Sequence, residues 1–359
     1  MIPYFLLVFF PLLLTRLGDT YRIRLGKKVL FESKTAVIDS FMFILFLMLA
    51  FRGQQCGSDT RQYIRMFEYY SRHDFIYILQ SGDHEIGFRI LTKLSSILAN
   101  NSQVYLAITS LACVLPLWHF YRNESDNHPL TISIFMFFPT FLMCFSGIRQ
   151  AIAISIGVLA WYAARSKSLV KFIALVIIAM QFHVSAFILF LLYPMYGAKV
   201  TKKWLLAIIP LMAFVFVFKK PIFNYALTLL WEEYDSTPET GATAILWLLI
   251  LFAIYAYVIP DEQKLDQDII GMRNILLLSI VIQFFAMLHP LSMRMNYFFL
   301  IFVPSLITKV AKRRKRRFAQ VTNLSVIVMT VYFVYYFVMN VINDNDVLNI
   351  FPYIPFWRN

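Results

Sequence analysis

Charge is scarce along this chain: Asp, Glu, Lys and Arg make up 15% of its 359 residues against 60% hydrophobic, and the mean hydropathy is +0.66. That composition excludes a water-soluble globular fold, because too few polar side chains exist to cover the surface of one. Cysteine is nearly absent too. Cys56, Cys113 and Cys144 show no metal-ligand spacing, which excludes a zinc ribbon or a disulfide framework, although a single Cys56–Cys144 bridge stays open. Walker A and Rossmann glycine patterns are missing, as is a Gly-x-Ser-x-Gly elbow, so nucleotide binding and α/β-hydrolase chemistry lack their signatures. No internal repeat, low-complexity tract or polar stretch long enough for a soluble domain occurs.

Apolar residues instead come in runs. A membrane-crossing helix needs roughly 17 to 25 mostly apolar residues, and shorter ones survive when neighbouring helices surround them. Twelve spans are expected, at 2–14, 37–51, 103–121, 130–146, 149–164, 169–182, 184–197, 203–218, 242–259, 274–288, 295–310 and 320–342. The fold class is therefore an all-α polytopic membrane protein with about 12 transmembrane helices, one integral membrane domain over 1–359. Met1-Ile2-Pro3 lacks a basic n-region, and Arg16, Arg22, Arg24, Lys27 and Lys28 follow the first run, so that run is expected to be a retained span with an outside N-terminus.

The net charge of +13 invites a polyanion-binding reading, which its distribution contradicts. Placing Lys312-Arg313-Arg314-Lys315-Arg316-Arg317 in the cytoplasm puts Arg16 to Lys34, Arg165/Lys167/Lys171 and Lys199/Lys202/Lys203 there by alternation. The whole +13 then falls inside and the outer side balances to zero, so the basicity reports topology and no nucleic-acid partner. This topology gives an outer loop at 52–102, a basic cytoplasmic loop at 311–317 and an outer C-terminal tail at 343–359 expected against the membrane surface.

Within the outer loop, Tyr63, Phe67 and Tyr70 repeat on one helical face while Arg61, Arg65, Glu68 and Arg72 repeat on another, predicting an amphipathic helix in the outer interface. Asp83 is a candidate cap for a second helix from about His84 to Ala99. A later outer segment, Lys219 to Gly241, reads as a short helix around Trp231 to Asp235 and then a polar turn at Pro238.

The rare polar residues that end apolar runs gather on the outer side. In Ser146-Gly147-Ile148-Arg149-Gln150, Gly147 permits a tight turn and Arg149-Gln150 open the next helix, where unpaired N–H groups and a fixed guanidinium fork suit a phosphate. Arg294 opens another run after the Pro290 turn as a second anion clamp; the plainer alternative for both arginines is an anchor snorkelling to headgroups. His183 separates two short runs and could serve as a general base or orient a carboxylate, or could be a satisfied structural histidine. Asp59 and Glu85 offer carboxylate bases, or alternatively a helix cap and a partner for Arg89 one turn away. Asp266-Gln267-Asp268 and Asp344-Asn345-Asp346 have a DxD look but are expected to be solvated loop charges, for want of a nucleotide-binding domain.

These residues form an ordered series: Asp59 with Tyr63 and Phe67, Glu85-Ile86-Gly87-Phe88, Gly147-Ile148-Arg149-Gln150-Ala151-Ile152-Ala153, Phe182-His183-Val184-Ser185-Ala186, then Arg294 and Tyr297 with Pro304 beyond. In that order and spacing the chain resembles the EpsG family of Wzy-type polysaccharide polymerases over nearly its whole length; the last span and tail carry no family pattern. The resemblance implies a GT-C-like glycosyltransferase of the bacterial cytoplasmic (inner) membrane that joins undecaprenyl-diphosphate-linked oligosaccharide repeat units at its outer face, into O antigen, capsule or exopolysaccharide. It also implies the bilayer, and chain-length regulator and flippase proteins, as partners.

On that reading Arg149, Arg294 and Gln150 bind the diphosphate, one of His183, Glu85 and Asp59 takes the acceptor proton, and no metal or other cofactor is expected because arginines supply the positive charge. A flippase of lipid-linked oligosaccharides would need ionisable groups deep in the spans of both halves. A membrane acyltransferase using His183 would need a route for its cytoplasmic donor.

Overall fold

The computed structural model describes residues 2–14, 22–25, 28–82, 84–200, 202–230, 241–342 and 348–358. Its helices are α1 (Ile2–Leu14), α2 (Ser33–Ala50), α3 (Thr60–Arg72), α4 (Phe75–Gln80), α5 (Ile86–Leu98), α6 (Ser102–Glu124), α7 (His128–Phe137), α8 (Pro139–Phe145), α9 (Ile148–Arg165), α10 (Leu169–Met180), α11 (Leu192–Gly197), α12 (Leu205–Val217), α13 (Lys219–Leu230), α14 (Ala242–Val258), α15 (Gln267–Ala286), α16 (Pro290–Leu300), α17 (Val303–Lys312) and α18 (Ala319–Ile342), with a 3₁₀ stretch at Val184–Leu191 leading into α11. The one longer departure from helix among the described residues is an antiparallel hairpin of β1 (Arg22–Leu25) and β2 (Lys28–Glu32). Arg22-Ile23-Arg24-Leu25 alternates polar and apolar residues with the period of a strand, which explains it.

Helical segments occupy all twelve expected apolar runs. By length and composition, α6 and α15 can each cross a membrane, and three bent pairs raise the number to five if each pair is one span. The pairs are α7–α8, bent 74°, α12–α13, bent 71°, and α16–α17, bent 41°. Proline explains where they break: Pro139, Pro221 and Pro304 lie in the first turns of the second helices, and proline there cannot continue the preceding ladder. Side-chain caps set other starts, Asn101 for α6, Asn127 for α7 and Asp266 for α15, each accepting backbone N–H groups.

The core is organised around α9, which packs on α6, α10, α11 and the 3₁₀ stretch. Ala151, Ala153, Gly157, Ala160, Ala163 and Ala164 are small enough for close approach of those neighbours, and a Cβ on Gly157 would stand 3.0 Å from Leu189. Because α9 runs through the middle, its first turn presents Arg149 at one end of the bundle and its last turn presents Arg165 at the other.

At the Arg165 end a network of ion pairs replaces the expected solvated charges. Glu124, buried at the foot of α6, meets Arg165 at 2.7 Å and Lys309 at 3.0 Å, and Arg165 reaches Asp268 at 3.1 Å. Asp268 is buried and accepts from the Tyr196 hydroxyl, while Asp266 caps α15 and pairs with Arg313 at 2.7 Å. This corrects the loop reading of Asp266-Gln267-Asp268: α15 begins inside the network, so both carboxylates face cations. Losing one partner of a buried pair such as Glu124–Lys309 costs about 3–5 kcal/mol, since the other charge stays desolvated. The Asp344-Asn345-Asp346 motif lies outside the described residues.

At the opposite end the expected amphipathic helix is α3, with Thr60, Tyr63, Phe67 and Tyr70 buried and Arg61, Arg65, Glu68 and Arg72 exposed. The second loop helix is α5; Asp83, its proposed cap, lies outside the described residues, as does the Trp231–Asp235 stretch. The described part of that later segment forms α13, from Lys219. The C-terminal stretch packs on the backbone of the loop before α3 as well as exposing Phe356 and Trp357: Asn349 accepts from Gly57 N, Leu348 from Ser58 N, and Ile354 from Gly53 N. The Tyr4 hydroxyl donates to Ile350 O at 2.6 Å, so α1 joins the same brace. Cys144 lies 3.8 Å from Cys113 and not against Cys56, and none of the three cysteines forms a disulfide.

Candidate functional site

Three segments distant in sequence bring Glu85, Arg149 and His183 together. Arg149 enters on the first turn of α9, His183 stands in extended conformation before the 3₁₀ stretch, and Glu85 occupies the N-cap position of α5. Arg149 Nη1 lies 2.5 Å from Glu85 Oε2, and the other carboxylate oxygen, Oε1, accepts from Val184 N at 3.2 Å and faces His183 Nδ1 at 3.5 Å. The carboxylate is thus shared between a guanidinium and the turn that carries the imidazole.

Gly87 makes the approach possible. A Cβ there would stand 2.8 Å from both Cβ and the carbonyl oxygen of Gln181, and Phe88 N donates to that same oxygen at 3.1 Å. The first turn of α5 therefore lies directly on the Gln181–His183 turn. Arg89, offered by its spacing as a partner for Glu85, does not pair with it. Its guanidinium is buried and donates to the carbonyls of Ile78 and Ser81, clamping the end of α4, where helix carbonyls otherwise lack donors.

Around this cluster, the Phe88 ring centroid is 5.8 Å from Arg149 Cζ and Tyr63 meets Phe88 edge-on at 5.7 Å. Burial raises the Tyr63 phenol above its ordinary pKa, with the Arg149 charge opposing, so Tyr63 stays a neutral neighbour of the guanidinium. Burial also pushes the Glu85 carboxyl upward, but the His183 ring, backbone N–H groups and Arg149 outweigh it and leave the pKa at about 2, below the ordinary 4.5. Glu85 is consequently a permanent anion near neutral pH. Tyr63 and Phe88 sit in the sequence series quoted above, but their contacts with Arg149 depend on how α3 and α5 cross, which periodicity alone does not give.

The other sequence-selected residues lie around this trio. Gly147, expected to permit a tight turn, has φ −86°, outside the left-handed region that requires glycine; a Cβ there would meet the flexible end of Met143. Gly57 carries that requirement: its φ is +95° and a Cβ would stand 2.3 Å from Phe145 O. That contact and a 2.6 Å hydrogen bond between Ser58 and Ser146 fasten the Asp59 loop to the Arg149 turn. Asp59 occupies the N-cap position of α3 without a side-chain capping bond, and its carboxylate accepts from Ser58 Oγ instead. Gln150 is buried, with its amide nitrogen donating to Arg294 O at 2.6 Å, so it ties α9 to α16. The Arg294 guanidinium is exposed and, among the described residues, makes no hydrogen bond or ion pair. It is linked to the trio only through Gln150.

A pH consequence follows from Glu85. A depressed pKa contributes stability above the ordinary carboxylate value that is lost as pH falls through the folded value. The difference in thermal unfolding temperature between the protein and its Glu85→Gln variant is therefore expected to stay constant from pH 8 to 5, then close between about 4.5 and about 2. Narrowing already between pH 8 and 5 would show that Glu85 is not held as an anion.

Comparison with known proteins adds one match: a family model described as the EpsG family covers residues 37–354. No curated protein and no solved structure matches the chain.

Proposed function

Because the chain belongs to the EpsG family, we propose that it polymerises lipid-diphosphate-linked oligosaccharide repeat units into a surface polysaccharide, acting as a metal-independent, GT-C-like glycosyltransferase at the outer face of the bacterial cytoplasmic membrane. The observation that carries this reading is the convergence of Glu85, Arg149 and His183 at one end of an apolar helical bundle, with Arg294 one hydrogen bond away through Gln150. Such chemistry needs cations for a diphosphate leaving group and a base for a sugar hydroxyl, and both residue types are here.

In this mechanism the acceptor hydroxyl oxygen bonds to the donor's anomeric carbon as the bond from that carbon to the diphosphate oxygen breaks. The electron pair leaves with the lipid diphosphate, and the proton passes to His183. Nδ1 of His183 faces Glu85 Oε1 at 3.5 Å, beyond a formed hydrogen bond; with its proton on Nδ1 the ring can close that gap, which leaves Nε2 as acceptor. Glu85, too weak a base at a pKa of about 2, fixes that tautomer and holds Arg149 in place. Arg149 and Arg294 stabilise the charge that develops on the diphosphate, and Gln150 is the strut between them. The ion-pair network at the opposite end ties α6, α9, α15 and α17 together, which favours a one-sided enzyme over a carrier that must open both ends.

The test is a glycan ladder from a strain lacking the protein. Loss of long chains with a single exported unit surviving is the expected result; loss of every exported unit would favour transport and sink the polymerase reading.

A further inference from the structure

The diphosphate joining a sugar to a lipid carries two negative charges near neutral pH, one per phosphate. Arg149 is already balanced by Glu85 at 2.5 Å, whereas the exposed Arg294 offers a charge with no carboxylate partner among the described residues. Lys219, at the 71° bend between α12 and α13, offers another. Its Nζ lies 3.9 Å from the Phe216 ring centroid and 3.6 Å from Met287 Sδ. Both contacts hold an ammonium in place without neutralising it. Among the described residues it has no carboxylate partner.

Lys219 and Arg294 are both tied to the turn between α15 and α16. Met287 ends α15, and His289, two residues on, caps α16 by accepting from Leu291 N. Phe223, one helical turn after Lys219 on α13, stacks on His289 with centroids 5.9 Å apart. His289 is near enough to Arg294 that, after burial, the Arg294 charge is the next cause lowering its pKa. The bend at α13 thus sets the Lys219 ammonium against the α15–α16 turn, from which α16 carries the Arg294 guanidinium, and neither has a carboxylate partner among the described residues.

Resting on the polymerase reading, we propose that Lys219 joins Arg294 in the clamp that binds the donor's diphosphate before reaction, with Lys219 a binding residue of the site, while Arg149, beside His183, meets the phosphate oxygen on which charge develops as the bond breaks. The neighbouring Lys220 is exposed and serves as a control. The ligand chemistry, a phosphate anion at the membrane surface, is shared by ordinary phospholipid headgroups, so the test separates the two.

The full-length protein is purified in nanodiscs of zwitterionic lipid, and binding of inorganic diphosphate is measured directly and as inhibition of chain growth. Lys219→Met keeps the packing on Phe216 and Met287 while removing the charge. It is expected to raise both the dissociation constant for diphosphate and the KM for the lipid-linked unit about tenfold, with kcat changed far less. Lys219→Arg is expected to restore most of the loss, and Lys220→Ala to behave as the unaltered protein. Unchanged diphosphate binding and KM in Lys219→Met would overturn the clamp, as would a loss seen only when anionic lipid is added, which would make Lys219 a headgroup anchor. If the unaltered protein binds diphosphate through Lys219 but joins no units, the polymerase reading fails and the clamp stands; if it joins units and Lys219→Met binds normally, the reverse holds.

Discussion

Replacing His183 by alanine is expected to lower turnover by about 10²- to 10⁴-fold while leaving binding of the lipid-linked donor nearly intact, the behaviour of a lost general base. The geometry singles out His183 among the three candidates. Glu85 is committed to Arg149 and Val184 N and is held at a pKa of about 2, and Asp59 sits at the mouth of α3 bonded to its own neighbour Ser58. Glu85→Gln is expected to do less damage and to change both KM and kcat, because it loosens Arg149 and the imidazole together. Purified variants, with donor binding and turnover measured separately, check this. Near-normal turnover in His183→Ala beside a collapse in Glu85→Gln or Asp59→Asn would move the base elsewhere.

Arg149→Lys is expected to be nearly as damaging as Arg149→Ala, each costing roughly ten- to a hundredfold in rate, or about 1.5–3 kcal/mol. A guanidinium can hold Glu85 with one edge and present its remaining N–H groups to a phosphate oxygen, whereas an ammonium has one compact head and no fork. Phe88 beside the guanidinium also favours the flat group. Rates compared at equal protein abundance decide it. Full activity in the Lys variant would reduce Arg149 to a charge at the end of a helix.

Much of this was legible in the sequence because membrane helices are announced by apolar runs and their ends by rare polar residues. The α3 periodicity, the helix opened by Arg149, and the isolation of His183 between two runs all came from local pattern. Partnerships were less legible, because they depend on how distant segments meet. Arg89 sits one turn from Glu85 and yet caps α4, since the first turn of α5 is pressed on Gln181 and turns Glu85 toward Arg149. Asp268 looks like a loop charge until α15 is seen to start inside a cluster of cations. Lys219 carries no motif, and only the α12–α13 bend brings it over Met287.

The central claim is that this protein joins lipid-linked repeat units and uses side-chain cations to do it. Purified protein given one chemically defined lipid-linked repeat unit, with chelator present, tests that most directly. The expected result is a ladder of two or more joined units with release of one lipid diphosphate per bond formed. Units that change membrane side without being joined, or a ladder that appears only when a divalent metal is restored, would contradict it.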